Sequence, residues 1–392
     1  MQRCRKDTDR TGRATGRSSR PGPSRSLPGS TVEKEIHREI GRTASSVRDR
    51  CLEDKIVQAA TVTILNQIYE EDFLGFSYGF RPGRSQHDAL DALAFAIEHK
   101  KVNYILDCDI RSFFDNLDKS WLLQFVEHRV ADPRILRLIQ KWLKAGVMED
   151  GIWSDPETGT PQGSVASPLL ANIYLHYAFD LWVNVWRQKW AQGEVMVVRY
   201  ADDIVLGFQY QTDADRFREH LTERLQKFGL ELHPDKTRRN EFGRFAELNR
   251  KKRGEGKPET FGFLGFTHIC GKTKNEKFAL KRKTIAQRMA AKLKEIKQQL
   301  RTRMHDPTAQ TGEWLQSVVQ GYFNYHAVPG NLSRLCVFRN RVIRLWRWAL
   351  RRRGQKRRPN WARMSRLAQR WLPVPRALHP YPDARFAAHH PR

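Results

Sequence analysis

The chain has 392 residues, enough for two or three domains with a sizeable core, and its 70 Lys and Arg against 43 Asp and Glu give a net charge of +27. The charge is uneven, because residues 281–392 contain 26 Lys and Arg but 4 Asp and Glu, whereas residues 51–280 contain 31 and 33. A near-neutral body with a strongly basic C-terminal third indicates a polyanionic partner, most simply nucleic acid.

The features that the sequence lacks exclude several other classes of protein. The five cysteines include no C-x-x-C pair, which argues against a zinc ribbon or a thiol redox site. No apolar run is long enough to span a membrane, and the N-terminus lacks the apolar core of a secretory signal. There is no G-x-x-x-x-G-K-[ST] motif, which argues against an ATPase. We therefore expect a reduced, cytoplasmic protein without a membrane partner.

Periodicity and composition predict the following elements in chain order. Residues 1–50 are predicted to be a disordered or atypical leader, since 1–30 are rich in Arg, Gly, Ser, Thr and Pro. The predicted helices and strands are a helix over 52–70, a helix over 87–99, a strand over 103–110, helices in "KSWLLQFVEHRV" and "PRILRLIQKWLKAGV", a loop and long helix from 159, strands over 195–198 and 204–208, a helix over 213–229 and a strand over 261–269.

From residue 281 the chain consists of basic amphipathic helices. In "KRKTIAQRMAAKLKEIKQQLRTR" nine Lys and Arg surround one apolar stripe, and Glu295 is the single acid. The stripe consists of Ile285, Met289, Leu293, Ile296 and Leu300. "RNRVIRLWRWALRRR" repeats this design around Val342, Leu345, Trp346, Ala349 and Leu350. Such stripes are typical of helix-bundle cores, and the basic faces suit a phosphate backbone. The candidates for nucleic-acid contact are Arg282, Lys292, Arg344, Arg347 and Arg351.

Acidic residues stand at the ends of two predicted strands. Asp202 and Asp203 lie between apolar runs in "VMVVRYADDIVLGF", where a hairpin turn would hold them. Asp107 and Asp109 share one face of the strand over 103–110, because alternate strand residues point the same way. An acidic turn alone would explain the doublet. However, carboxylates from two strands can also hold Mg²⁺, which takes one or two carboxylates together with substrate phosphate oxygens.

Further motifs resemble those of bacterial reverse transcriptases encoded by group II introns, also called intron maturases. "YADD" (200–203) is similar to the catalytic hairpin of that family, and "DIRSFFDNLD" (109–118) to its first catalytic motif. The other similar segments are "YGFRPGRSQHDAL" (78–90), "GTPQGSVASPLLANIYL" (159–175), "GLELHPDKT" (229–237), "FGFLGF" (261–266), "WLQSVVQGYFNYH" (314–326) and "WLPVPRALHPYP" (371–382).

The resemblance implies an α+β right-hand polymerase fold, with an antiparallel palm sheet, partial fingers and an all-α basic thumb. The implied domains are the leader at 1–50, fingers and palm at 51–280, a thumb or maturase domain at 281–365 and a tail at 366–392. It implies RNA-directed DNA synthesis with dNTPs, on an intron RNA template and a DNA primer or target. It further implies two Mg²⁺ ions, with Mn²⁺ as a possible substitute.

The resemblance also assigns roles to single residues. Asp109, Asp202 and Asp203 would be the catalytic and metal-binding triad, with Asp107 in support. Phe114 would exclude a ribose 2′-OH by its bulk, which favours dNTPs over rNTPs. Gln162, Gly163 and Lys236 would lie at the incoming nucleotide. Arg81 either contacts the template or stabilises the local fold.

The sequence departs from the family before residue 52, where "GRTASSVRDRCLEDK" replaces the usual fingers segment. The main alternative is therefore an RNA-binding splicing cofactor with impaired or absent polymerase activity. A retron, diversity-generating or CRISPR-associated reverse transcriptase is a third possibility, against which the stretch 314–350 argues. A two-metal nuclease or phosphatase is a fourth, against which "TPQGS" and "SFFD" argue. No Cys-framed HNH nuclease is indicated.

Overall fold

The computed structural model describes residues 32–36, 46–49, 52–144, 147–149, 152–154, 164–273, 275–354 and 358–389. Its strands are β1 (Val32–Ile36), β2 (Ser46–Asp49), β3 (Tyr104–Asp109), β4 (Val147–Glu149), β5 (Ile152–Ser154), β6 (Val195–Tyr200), β7 (Asp203–Phe208), β8 (Arg238–Glu241), β9 (Phe261–Phe263), β10 (Phe266–Lys272) and β11 (Phe278–Thr284). β1 and β2 lie within the leader that was predicted to be disordered or atypical. They form one four-stranded sheet with β4 and β5, in the order β2-β1-β4-β5.

The helices occupy most of the remaining described chain. They are α1 (Leu52–Tyr69), α2 (Gln86–His99), α3 (Phe113–Asn116), α4 (Lys119–Glu127), α5 (Pro133–Lys144), α6 (Ser167–Leu175), α7 (Leu181–Lys189), α8 (Gln211–Gln226), α9 (Ala246–Lys252), α10 (Ala286–Thr302), α11 (Thr308–His326), α12 (Leu332–Arg352), α13 (Trp361–Trp371) and α14 (Pro382–His389). One π-helical turn, His176–Asp180, joins α6 to α7. Among the described helices, none combines the length and apolar character that a membrane span requires.

The central sheet has the order β6-β7-β3-β8, and every pair in it is antiparallel. Its alternating residues supply two separate cores, as the period of two in a strand dictates. Leu106 and Cys108 of β3 face a core built with α4 and the helices from α6 to α8. Ile105 of β3 and Val205 of β7 face a second core with α2 and β9 to β10. The predicted α+β architecture with an antiparallel palm sheet is therefore confirmed.

Local signals in the sequence explain where several helices begin. Ser85 and Asp88 form a capping box at the start of α2, in which the Asp88 carboxylate accepts from the Ser85 backbone N–H at 2.7 Å. Asp118 caps α4 by accepting from the backbone N–H groups of Ser120 and Trp121. These caps satisfy N–H groups that have no partner inside the helix.

The predicted single strand over 261–269 is wrong, because the chain folds there into a hairpin of β9 and β10. Leu264 and Gly265 form the two-residue turn, with φ of 44° and 83°. Such positive φ values favour glycine at the second position and suit a tight hairpin. β10 continues by pairing with β11, so the sheet has the order β11-β10-β9.

The basic helices pack around a third core that contains Met289, Leu293, Ile296 and Leu300 of the predicted stripe. Val342, Trp346 and Ala349 of α12 belong to the same core, while Leu345 and Leu350 pack at its margin. Two predicted domain boundaries fall inside elements, since 280 and 281 lie in β11 and 365 and 366 lie in α13. The helical region is better bounded by Ala286 and Trp371.

The segment after α13 returns to the first half of the chain. Helix α14 packs on α2, where the rings of Phe95 and Phe386 stack with centroids 4.2 Å apart. His99 of α2 contacts the Asp383 carboxylate at 3.0 Å. The C-terminal helix thus joins the second core rather than the core of the basic helices.

Candidate active site at the end of the central sheet

The pairing of β3 with β7 places three acids at one end of the sheet. Asp109 and Asp203 are cross-strand partners, and Asp202 occupies the turn between β6 and β7. Directly opposed residues in an antiparallel pair lie about 5 Å apart. The sequence prediction that Asp109, Asp202 and Asp203 belong together agrees with this register, although their catalytic role stays a prediction.

The close approach of like charges alters the ionisation of the acids. Desolvation raises the pKa of Asp203 to about 6, with repulsion from Asp202 and Asp109 as further causes, although the residue keeps solvent contact. Desolvation also raises the pKa of Asp202, and the charge of Asp109 adds to this effect. These carboxylates therefore gain from a neighbouring cation.

Lys236 already supplies one positive charge at this end of the sheet. Its ammonium group donates to the Asp109 carboxylate at 2.9 Å. The backbone brings it there, because the His233 N–H donates to the Asp109 carbonyl at 2.7 Å and Ile110 bridges to Leu232. The segment 229–237 thus lies directly against the segment that begins at Asp109.

Asp107 shares a sheet face with Asp109, as the alternation of β3 predicted. Desolvation raises the pKa of Asp107 to about 7, and repulsion from Asp203 and Asp109 contributes further. Sequence reasoning gave this acid only a supporting position. Its position two residues before Asp109 on β3 places it beside the acidic cluster on the same face of the sheet.

A divalent cation fits this donor set, which consists of carboxylate oxygens. Among the described residues, no group of three or more His, Cys, Asp and Glu side chains forms a ready-made metal site. Mg²⁺ does not need such a cage, since it commonly binds one or two carboxylates and completes its coordination with water and substrate phosphates. Asp109, Asp202 and Asp203 offer carboxylate oxygens of this kind at one sheet end, and their role as metal ligands stays a prediction.

A buried ion pair fixes the hairpin that carries Asp202. The Arg199 guanidinium donates to the Asp180 carboxylate at 2.8 and 2.5 Å, and both side chains are 0% exposed. The third guanidinium nitrogen donates to the Asn172 amide oxygen at 2.9 Å and to the Ala201 carbonyl at 3.1 Å. Ala201 itself has a φ of 55°, which costs energy in a residue other than glycine. The guanidinium therefore stabilises a strained turn.

The fingers motif over 78–90 contacts the same turn. A Cβ on Gly79 would lie 2.3 Å from the Ala201 nitrogen, so a side chain at this position is excluded. The Asn172 amide donates to the Gly79 carbonyl at 2.6 Å, and the Tyr78 N–H donates to the Arg199 carbonyl at 2.8 Å. Close packing of two backbones thus explains the glycine.

Sequence reasoning did not identify Gly79, Asn172, Asp180 and Arg199. The available signals were a lone arginine in the strand "VMVVRY" and a lone acid in the apolar helix "LHYAFDLWV". Buried charges are rare unless they are paired. The π-helical turn at His176–Asp180, a type of irregularity often found at functional sites, could not be predicted from the pattern.

Two candidates for nucleic-acid contact, Arg81 and Arg282, have side chains that are buried in ion pairs. The Arg81 guanidinium is 3% exposed, and it binds the Glu70 carboxylate and the carbonyls of Leu74 and Ser77. Arg282 is also 3% exposed and donates to Asp91 at 2.7 Å. This favours the local-fold role for Arg81, and it leaves Arg282 engaged with Asp91 rather than free on the surface.

The other predicted site residues are distributed as follows. Phe114 lies half-buried in α3, directly after the strand that carries Asp109. Gln162 and Gly163 lie outside the described residues. Lys292 pairs with Glu295 at 2.8 Å on α10, whereas Arg344 and Arg351 are exposed on α12 and Arg347 is half-buried there. Arg288 was not among the predicted residues. Its positive charge partly offsets the rise in the pKa of Asp203.

Comparison with known proteins identifies the class. A family model described as reverse transcriptase (RNA-dependent DNA polymerase) matches residues 43–268, more than half of the chain, so the chain belongs to the reverse transcriptase family. The match includes all three clustered acids, the buried pair and the fingers motif. Reverse transcriptases generally use divalent metal ions, in agreement with the carboxylate donors.

Two relatives show which reverse transcriptases the chain resembles. Protein YkfC of Escherichia coli (strain K12) is 33% identical over 219 residues, which cover 48% of this chain and 57% of that protein. The group II intron-encoded protein LtrA of Lactococcus lactis subsp. cremoris is 42% identical over 123 residues, which cover 31% of this chain and 20% of that protein. The resemblance to intron-encoded reverse transcriptases is thus confirmed, and the chain matches less than two thirds of each of these relatives.

Among solved structures, apo telomerase from Candida tropicalis is similar over 65% of this chain and 55% of that chain. The TM-score is 0.47 and the sequence identity is 12%.

We expect Asp180→Asn to destabilise the protein by about 3–5 kcal/mol, because it leaves the buried Arg199 guanidinium without its counter-ion. Asp215→Asn is the matched control, since Asp215 pairs with Arg239 at a partly exposed position, where a salt bridge contributes about 1 kcal/mol or less. Equilibrium unfolding in urea measures both values. Equal losses of unfolding free energy in the two variants would show that the buried pair contributes no more to stability than the partly exposed one.

We expect Asp107→Asn to stabilise the protein at pH 8, measured without divalent ions. A carboxyl whose pKa is raised in the folded state opposes folding once it ionises, so its favourable contribution is present near pH 4 and is lost as the pH rises through about 7. The gain should be on the order of 2–4 kcal/mol at pH 8 and should disappear towards pH 4. The exposed Asp235→Asn variant controls for the removal of one charge. A gain that is independent of pH would contradict the assignment.

Proposed function

We propose that the chain is an RNA-directed DNA polymerase of a group II intron, which extends a DNA primer on an RNA template with dNTPs. The observation that carries the proposal is the register between β3 and β7, which clusters Asp109, Asp202 and Asp203 in a chain of the reverse transcriptase family. The alternative of an RNA-binding cofactor without synthesis is less favoured, since it gives these crowded acids no role.

The three acids would hold the metal, which we propose to be two Mg²⁺ ions, with Mn²⁺ as a possible substitute. Bound ions would stabilise charge on the attacking and leaving oxygens of the phosphoryl transfer. The chain itself supplies the geometry. The buried Arg199 fixes the turn that presents Asp202, and Lys236 screens Asp109 until a ligand approaches.

Phe114, together with Gln162 and Gly163 from the segment before α6, would select the nucleotide. The Phe114 ring packs edge-on against Phe113, with centroids 5.3 Å apart, and Phe113 is buried. A ring supported in this way can exclude a ribose 2′-OH by its bulk. Gln162 and Gly163 remain predicted neighbours of the nucleotide, and Ser164 beside them is fixed by donating to the Gln58 side chain at 2.8 Å.

The basic helices would bind intron RNA and so support splicing and mobility. Arg344, Arg347 and Arg351 line one cavity on α12, and this cluster of positive charge supports the proposal. A cytoplasmic location remains a prediction.

We expect Asp202→Asn to reduce DNA synthesis by at least about a thousandfold, because one of the proposed metal carboxylates loses its charge. The measurement is primer extension on an RNA template with dNTPs and Mg²⁺. Glu219→Gln on the exposed face of α8 removes one acid remote from the sheet end and should retain full activity. Synthesis retained in the Asp202→Asn variant would overturn the assignment. No synthesis in the wild type, with RNA binding retained, would favour the splicing-cofactor alternative.

We expect Phe114→Ala to increase rNTP incorporation relative to dNTP incorporation by roughly ten- to a hundredfold, as the removal of a steric barrier of about 1–3 kcal/mol permits. Phe114→Tyr keeps the bulk of the ring and should keep discrimination. Competition between rNTPs and dNTPs in primer extension measures the ratio. An unchanged ratio with normal dNTP use would show that Phe114 has a packing role only.

A further inference from the structure

Two cavities lie side by side where α12 meets α13, and both are lined by Arg344 and Trp361. One has a volume of about 480 Å³ and the other about 390 Å³. Each is large enough for part of a nucleotide. The two cavities share Arg344 and Trp361 but otherwise differ in the chemical groups that line them. Neither cavity belongs to the acidic site at the sheet end.

The larger cavity is suited to phosphate. Five arginines and two tryptophans line it, and no Asp or Glu does so among the residues that the structure describes. Arginine forks match the geometry of phosphate oxygens and remain charged at any relevant pH. Arg344, Arg351 and Arg352 are exposed, so their guanidinium groups are accessible to a ligand.

The smaller cavity has a different polar character. Its lining includes the amide groups of Asn340 and Gln369 and the hydroxyl of Ser365. All three residues are exposed. Amide and hydroxyl groups can both donate and accept hydrogen bonds, as the edge of a nucleobase requires. Arg339 at the rear is already bound to the carbonyls of Pro373, Ala368 and Leu372.

Trp361 lines both cavities and provides an aromatic surface on which a base can stack. The Arg347 guanidinium lies 4.3 Å from the centroid of its ring, yet Trp361 remains 51% exposed. By contrast, Trp348 is half-buried and lies within 5.6 Å of Lys297, Arg301 and Arg352. A large aromatic ring that stays exposed among cations is the arrangement on which an unstacked base can lie.

We propose that this pair of cavities binds one unpaired nucleotide of an RNA. Its phosphates would lie among the arginines, its base would stack on Trp361, and the base edge would face Asn340, Ser365 and Gln369. Bases inside an RNA duplex are stacked and cannot enter such a site, whereas bulged and loop bases can. The inference rests on the proposed RNA-binding function of the basic helices and adds the RNA feature that they recognise.

The test compares two RNA hairpins that differ by one bulged nucleotide, in binding assays with the full chain. The wild type should bind the bulged hairpin more tightly. Trp361→Ala should weaken that binding about tenfold, within the range for loss of one stacked base, and should change binding of the paired hairpin less than twofold. Trp361→Phe should restore most of the affinity. Trp190→Ala, at an exposed position after α7, is the matched control and should have no effect.

Equal weakening of both hairpins by Trp361→Ala would overturn the inference, since the surface would then be a general backbone contact. Equal wild-type affinity for the two hairpins would also overturn it, while leaving the proposed RNA-binding function intact. Failure of the wild type to bind either hairpin would contradict that function itself. Unfolding curves for each variant separate loss of binding from loss of fold, and substitution of the exposed ring should leave them unchanged.

Discussion

The antiparallel register between β3 and β7 is the constraint on which the site depends. It sets Asp109 opposite Asp203 and leaves Asp202 in the adjoining turn, so three negative charges meet at one sheet end. A shift of β3 by one residue would turn Asp109 to the opposite face of the sheet and would move Leu106 from the first core into the second. The apolar residues of both sheet faces therefore determine the positions of the acids, although none of them takes part in chemistry.

The repulsion within the cluster is balanced by charges from two directions. Lys236 reaches Asp109 from the segment that follows α8. Arg199, which is paired with Asp180 in the interior, stabilises the turn that holds Asp202 by donating to the Ala201 carbonyl. The first contact is exposed and can exchange with a ligand, whereas the second is fully enclosed. Exposed pairs contribute little to stability, while disruption of a buried pair is costly. The site thus combines a buried ion pair that holds the turn, Arg199–Asp180, with an exposed ammonium group, Lys236, that a ligand can displace.

The parts of the molecule that the sequence predicted well are those governed by periodic patterns. The apolar stripes of α10 and α12, the alternation in β3 and the acidic hairpin all follow from periods of 3.6 and 2, which depend on the chain locally. Arg81 and Arg282 show the limit of this reasoning. The family motif marked Arg81 and the basic C-terminal third marked Arg282 as candidates for nucleic-acid contact, but the structure pairs them with Glu70 and Asp91. Asp91 lies 191 residues from Arg282 in the chain, so its position could not be read from the local pattern. Gly79 was missed for the same reason, since the hairpin that excludes its side chain is distant in sequence.

The contact of α14 with α2 has a consequence for the order in which the protein can fold. His99 and Asp383 are 284 residues apart in the chain, and Arg385 lies 3.4 Å from the same Asp91 that pairs with Arg282. During synthesis, α2 emerges well before α14, because 284 residues separate His99 from Asp383. Until then, part of the second core stays open to solvent. Completion of the second core is thus coupled to the synthesis of α14.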